Sequence, residues 1–146
     1  MRVELPDGRI VQAHGLGGFI SVEDDETPGW ALYLDHQWRE RRSDWPSRFV
    51  DWPDHGLPAD EEDAFQAVVG TWNRIQRGEL VDVACDGGTG RTGTVLACLA
   101  VLCGLSPVEA VEWVRSHYNE YAIEAEGHER LVDRFDGWSV ENAPTT

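Results

Sequence analysis

Two short segments hold the side chains best suited to chemistry. In the first, residues 83–93 read Val-Ala-Cys-Asp-Gly-Gly-Thr-Gly-Arg-Thr-Gly. This stretch leaves an apolar run, crosses a loop with three glycines and enters a second apolar run. Cys85 opens the loop, and Arg91 stands six positions later at the start of the following helix. Glycines admit positive φ and let backbone N–H groups approach an anion closely, and a helix N-terminus adds further donors. A cysteine facing such donors and a guanidinium is favoured as the thiolate, its nucleophilic form. Arg91 can hold two oxygens of a phosphoryl group with its planar fork. Thr92 can offer its hydroxyl to the sulfur as that becomes a leaving group. Asp86, Gly87, Gly88, Thr89, Gly90 and Arg91 are therefore the candidate phosphate-binding residues, with Asp86 expected to turn its carboxylate away. Cys-x5-Arg alone also describes a plain turn around a buried cysteine. The strand before it, the glycines within it and the apolar helix after it favour the anion loop. A Walker loop does not fit, because its first glycine would fall on Cys85 and its lysine on Arg91.

The second segment is Trp52-Pro53-Asp54-His55-Gly56-Leu57-Pro58, with Asp54 placed 31 residues before Cys85. Two prolines and a glycine around one carboxylate describe a shaped, mobile loop with Trp52 as a hinge. Asp54 can protonate the leaving oxygen of an ester. By itself the segment reads as an ordinary Pro-Asp-x-Gly turn.

These side chains need elements to position them. The first half of the chain reads as short strands at Arg9 to Leu16, Trp30 to Leu34 and Arg48 to Trp52, separated by glycine, proline and acidic turns. Asp60 is placed to cap a helix whose first turn holds Glu61, Glu62 and Asp63. Ala64, Phe65, Val68, Val69, Trp72 and Ile75 give that helix one apolar face, and Gly78 ends it. Leu80 to Ala84 reads as a strand. Thr94 to Cys103 is apolar all round, so it reads as a buried helix closed by Gly104. Ser106, Pro107 and Glu109 form a capping box for a helix with Val108, Val111, Trp113 and Val114 inward. A last helix runs from about Gly127 to Asp136, with Leu131, Val132 and Phe135 inward. This order predicts an α/β domain with a central, mainly parallel sheet flanked by helices on both faces, built around a strand–phosphate loop–helix unit. No internal repeat or linker divides residues 1–146, whose chemical core would span about 48–136.

Together the two segments resemble the protein tyrosine phosphatase superfamily, most closely its compact dual-specificity-like or bacterial members. Cys-x5-Arg-Thr-Gly is similar to the superfamily's phosphate-binding signature. Trp52-Pro53-Asp54, extended by His55-Gly56-Leu57-Pro58, is similar to its general-acid loop. The resemblance covers roughly Phe49 to Phe135. It implies that Cys85 attacks phosphorus to form a cysteinyl-phosphate, that Asp54 acts first as acid and then as base, and that Arg91 and the loop amides hold the phosphoryl oxygens. It implies no cofactor and no metal, and it points to a phosphorylated protein or peptide as substrate, with phosphotyrosine first and phosphoserine or phosphothreonine beside it. The sequence departs from the pattern at Ala84, where the superfamily usually places a histidine that favours the thiolate. Tyr121-Ala122-Ile123-Glu124 resembles the compact members' Ala-Ile-Glu segment. His128 stands where those members often carry a water-positioning glutamine, and so is a candidate for that role or a plain helix-face residue.

Composition narrows the alternatives. The 146 residues carry a formal charge of −15, and all twelve basic residues are arginine. Such a chain is repelled by nucleic acid and by anionic lipid, so neither is expected as a partner. There is no bilayer-length apolar run and no signal-peptide pattern, and the three cysteines suit a reducing compartment, so the expected location is the cytoplasm. Cys98 and Cys103 lie in the apolar helix and read as packing residues. His14, His36 and His117 read as structural. Arg39, Arg41, Arg42 and Arg48 form a local basic cluster that either rims a substrate site or pairs with neighbouring acids. Two other classes stay open: a phosphate- or phosphoprotein-binding module without turnover, and a rhodanese-like sulfurtransferase, which would have no use for the Asp54 loop.

Overall fold

In the computed structural model the described residues are 1–15, 26–35, 45–87, 89–123 and 125–142. The strands are Arg2–Glu4 (β1), Ile10–Gly15 (β2), Trp30–Tyr33 (β3), Ser47–Phe49 (β4) and Val81–Cys85 (β5). They form one sheet in the order β1-β2-β5-β3-β4, with β1 antiparallel to β2 and every other pairing parallel. The helices are Glu61–Gln76 (α1), Gly90–Leu102 (α2), Pro107–His117 (α3) and Glu126–Asn142 (α4).

The central strand β5 is buried along its whole length, as its apolar run requires. Its register sets Gly15 of β2 against Cys85 and Tyr33 of β3 against Ala84. Leu34 N–H then donates to Ala84 O at 2.8 Å. The residues that follow β3 are thereby brought beside the nucleophile candidate. The carboxyl ends of parallel strands open together in this way, and open α/β sheets bind ligands at that edge.

Alternation along the strands sorts the two faces. Ala13, Trp30, Leu32, Val81, Val83 and Cys85 share one core with the buried faces of all four helices. On the other face Ala31, Tyr33 and Ala84 form a small cluster with Trp45. Buried polar groups lie on that face as well: Gln12 Nε2 donates to Asp82 Oδ1 at 2.5 Å, and His14 Nε2 sits 2.9 Å from Asp82 Oδ2. Among the described residues no helix joins this second cluster, so helical cover of both faces is not what they show.

The local signals act as expected where they are strong. Asp60 accepts from Asp63 N–H at 3.1 Å, and Ser106 with Glu109 forms the capping box of α3. Each cap contributes about 1 kcal/mol. Gly78 and Gly104 take φ of +84° and +112° and end α1 and α2. Beyond shifts of a single residue, one strand and three boundaries differ. β1 was not expected, and β4 stops at Phe49 rather than Trp52, because the chain turns into the loop that carries Asp54. α2 begins at Gly90, four residues earlier than its apolar run, so Arg91 and Thr92 lie in its first turn. α4 continues to Asn142, where Trp138 packs on Phe65 and Phe135 and its Nε1 donates to Glu62. Val108 is exposed; Ala110, Val111 and Val114 of α3 are buried, and Trp113 is partly buried against the core. Among the described residues no helix is long and apolar enough to cross a membrane.

Candidate functional site

Cys85 closes β5 and is 2% exposed. Thr92, one turn into α2, donates its hydroxyl to Cys85 Sγ at 3.0 Å. The next residue has to be glycine. A Cβ at Gly93 would stand 2.8 Å from Ala122 Cβ, so the segment after α3 rests directly on the first turn of α2. Asp86, Gly87, Thr89 and Gly90 all line the cleft above Cys85, and Gly88 lies outside the described residues.

Arg91 is 3% exposed, and its partners explain how a guanidinium is kept there. Nη1 donates to two carbonyls, Trp52 O at 2.8 Å and Leu34 O at 3.0 Å. Nη2 donates to Asp35 Oδ2 at 3.0 Å. These bonds take both Nη1 protons and one Nη2 proton. That leaves Nε and the second Nη2 proton, with Asp54 Oδ1 3.4 Å from Nη2, as donors that can grip two oxygens. A buried charge needs such compensation to be tolerated. Asp35 carries no motif, and sequence reasoning missed it. Its signal is only its place, two residues past β3 and next to the strand that ends in Cys85.

The Asp54 loop reaches this group. Asp54 Oδ1 lies 3.4 Å from Arg91 Nη2, and its other oxygen lies 3.6 Å from His55 Nε2. The turn is tightened by Gly56 N–H on Pro53 O at 3.0 Å, and His55 takes a left-handed φ of +59°. Trp52 is buried, and its Nε1 donates to Gly56 O at 2.8 Å while its own carbonyl accepts from Arg91. The tryptophan thus anchors the base of the loop to the arginine rather than hinging freely.

His128 is 2% exposed in the first turn of α4, with its Nε2 2.7 Å from the same Gly56 carbonyl. Nε2 is therefore the protonated nitrogen, and Nδ1 is a buried acceptor without a partner. That nitrogen would lie 3.9 Å from a Cβ at Gly90, so it faces the phosphate loop. Burial holds the imidazole's pKa below its ordinary value, partly offset by the bond to Gly56. His128 also meets Trp52 edge to face at 5.8 Å between centroids. The neutral ring is a latch between α4 and the Asp54 loop as well as part of the cleft wall.

The cleft encloses about 450 Å³. Besides the residues named, Asn119, Tyr121 and Ala125 line it from the segment joining α3 to α4. Tyr118, at the end of α3, is buried, and its phenol is kept neutral by burial and, secondarily, by negative charge at Cys85. The other cysteines are packing groups: burial pushes the Cys98 thiol far up and the Cys103 thiol to about 11. Arg48 is held by Asp63 at 2.6 Å, His14 by Asp82, and His117 by Trp113 O at 3.0 Å. His36, Arg39, Arg41, Arg42 and Glu124 lie outside the described residues.

The structure therefore gathers Cys85, Arg91, Asp54 and His128 at one cleft, with Thr92 bonded to Cys85 from behind. A soft nucleophile, a forked cation, a hydroxyl aimed at sulfur and a carboxylic acid across the cleft suit displacement at a tetrahedral oxyanion. A protein of Methanocaldococcus jannaschii of uncharacterised function is 35% identical over 118 residues, which are 80% of this chain and 74% of that protein. The crystal structure of kinase associated phosphatase with its catalytic-site cysteine replaced by serine superposes with a TM-score of 0.76 at 14% identity, covering 97% of this chain and 95% of that one. The active form of Tk-PTP superposes with a TM-score of 0.72 at 21% identity, covering 92% and 96%. Residues 37–130 match the family model described as PTP-SAK, Swiss Army Knife protein, DSP-PTPase phosphatase domain. This chain belongs to that family of dual-specificity-like phosphatase domains.

Proposed function

We propose that this chain hydrolyses phosphate monoesters of proteins, phosphotyrosine first and phosphoserine or phosphothreonine beside it, through a cysteinyl-phosphate. The observation that carries the reading is the convergence of Cys85, Arg91 and Asp54 on one cleft, with Asp54 3.4 Å from Arg91. Cys85 Sγ attacks phosphorus as the ester P–O bond breaks, and Asp54 gives its proton to the departing oxygen. Water then attacks phosphorus, Asp54 takes its proton, and the P–S bond breaks. Thr92 donates to the sulfur as it leaves. Arg91 and the loop amides from Asp86 to Gly90 hold the phosphoryl oxygens through both steps. His128, which lines the cleft, is the residue that positions the attacking water.

The charge of the cleft supports a single phosphate rather than a polyphosphorylated head group. Among its described lining residues Arg91 is the one guanidinium, set against the carboxylates of Asp54 and Asp86. Three free thiols suit work in the cytoplasm. A sulfurtransferase would leave Asp54 without a task.

Hydrolysis of an aryl phosphate from pH 5 to 8 without added metal, with Cys85→Ser and Asp54→Asn alongside, tests this reading. Turnover that disappears with the serine and drops with the asparagine supports it. A folded wild type that binds vanadate but turns nothing over replaces it with a binding module. Absence of both overturns it.

A further inference from the structure

From the segment that joins α3 to α4 we infer that Tyr121 determines specificity, forming an aromatic wall for the aryl group of phosphotyrosine. The inference rests on the proposed phosphatase reading and names a residue that selects among its substrates.

Tyr121 is 66% exposed although it lines the cleft that holds Cys85 and Arg91. A large aromatic ring at the mouth of a polar cleft has its apolar faces in water. It gains when another flat apolar surface covers it. The backbone beneath it is built to hold it there. Asn119 Oδ1 accepts from Tyr121 N–H at 2.8 Å, and Asn119 O accepts from Ala122 N–H at 3.0 Å. Arg115 clamps the next two carbonyls, Ala122 O at 3.1 Å and Ile123 O at 2.9 Å. Ala122 sits on Gly93 so closely that no Cβ fits between them. Ile123 is fully buried and takes a φ of +61°, a strained conformation for a β-branched residue that the surrounding packing must enforce. An over-determined backbone, fixed to the first turn of α2, thus carries an aromatic side chain that is two-thirds exposed.

The phosphate position is fixed by Arg91 and the loop after Cys85. The ester group of a bound substrate extends from there toward the mouth of the cleft, where Tyr121 lies. A phenyl ring can stack on it or meet it edge to face; the short aliphatic link of phosphoserine presents no such surface. The selection acts on binding of the leaving group and belongs in KM rather than kcat.

The test compares wild type, Tyr121→Phe and Tyr121→Ala on one peptide carrying either phosphotyrosine or phosphoserine at the same position. Direct binding of both peptides to Cys85→Ser runs in parallel. The expected result is a fall of about three- to tenfold in the phosphotyrosine-to-phosphoserine kcat/KM ratio for the alanine variant, carried by KM, with the ratio kept by phenylalanine. An unmoved ratio in Tyr121→Ala overturns the inference and leaves the phosphatase reading standing. So does a ratio lost equally in Tyr121→Phe, which would assign the effect to the hydroxyl. If the wild type hydrolyses neither peptide and Cys85→Ser binds neither, the phosphatase reading fails and the inference falls with it.

Discussion

His128 Nε2 donates to the carbonyl of Gly56 across 2.7 Å, tying the first turn of α4 to the turn that carries Asp54. Trp52 Nε1 donates to the same oxygen at 2.8 Å. The Asp54 loop is thus tied at its base and to a helix 72 residues away. Gly127 presses from the same helix: a Cβ there would stand 3.4 Å from Leu57. One such bond contributes about 1 kcal/mol, or roughly a fivefold bias in loop population. His128→Ala should lower kcat by up to that factor, with the loss concentrated on esters that need a proton donor. Equal losses on substrates with good and poor leaving groups would show that the latch does not act through Asp54.

The same histidine makes stability depend on pH. Burial lowers its pKa in the folded chain, so the unfolded chain takes up the proton first. The contribution is complete above the ordinary histidine value of 6.5 and is lost as pH falls below it, toward the lower folded value. Denaturant titrations of wild type should lose stability as the pH falls below 6.5 more steeply than those of His128→Gln. Parallel slopes would mean that other groups govern this range.

Asp54→Asn keeps the shape of the loop and removes its proton. General-acid assistance is worth about 10²–10⁴-fold, so the loss should be of that order on phenyl phosphate and much smaller on a nitrophenyl ester, whose oxygen leaves without a proton. The ratio of the two losses is the measurement. A uniform loss would make Asp54 an electrostatic brace of Arg91, which it approaches at 3.4 Å, rather than a proton donor.

Close packing at Gly93 gives a prediction independent of chemistry. In Gly93→Ala the new methyl would stand 2.8 Å from Ala122 Cβ, and both belong to braced backbone. Overpacking of this kind costs about 1–3 kcal/mol, which lowers the melting temperature of a chain this long by about 3–10 °C. Thermal unfolding of the variant reads it directly, and an unshifted midpoint would show that the segment after α3 can move away.

What the sequence reveals divides along chain distance. Cys85, Arg91 and Thr92 lie within eight residues, and their relation follows from one strand–loop–helix turn. Asp54 is legible because proline and glycine mark its loop, and α1 and α3 because their caps are local. β1 carried too few residues to signal itself, and the ends of β4 and α2 shifted because loop geometry, not apolar content, sets them. Asp35 is a different case. Only the parallel register of β3 on β5 brings it to Arg91, and no side-chain pattern records a register across 56 residues. His128 stood out in the sequence, but its bond to Gly56 belongs to the packing of α4 on the Asp54 loop.

Asp35 yields the prediction that most directly tests the geometry of the site. Its carboxylate takes one proton of Arg91 Nη2, which fixes the rotation of the guanidinium and leaves the Nε edge toward the ligand. Both partners are nearly buried, with side chains 3% and 12% exposed, so the bond is little screened. Asp35→Asn keeps the volume and can still accept through its amide oxygen, but loses the charge. A hydrogen bond to a charged group is worth about 1.5–3 kcal/mol, and the neutral replacement recovers part of that. Affinity for vanadate should therefore fall about tenfold in Asp35→Asn and further in Asp35→Ala. Asp54→Asn, which leaves the Asp35 bond in place, should bind vanadate more tightly than either variant. If Asp35→Asn instead binds vanadate better than wild type, the carboxylate is competing with the ligand for Arg91 rather than orienting it, and repulsion of the anion outweighs the alignment of the fork.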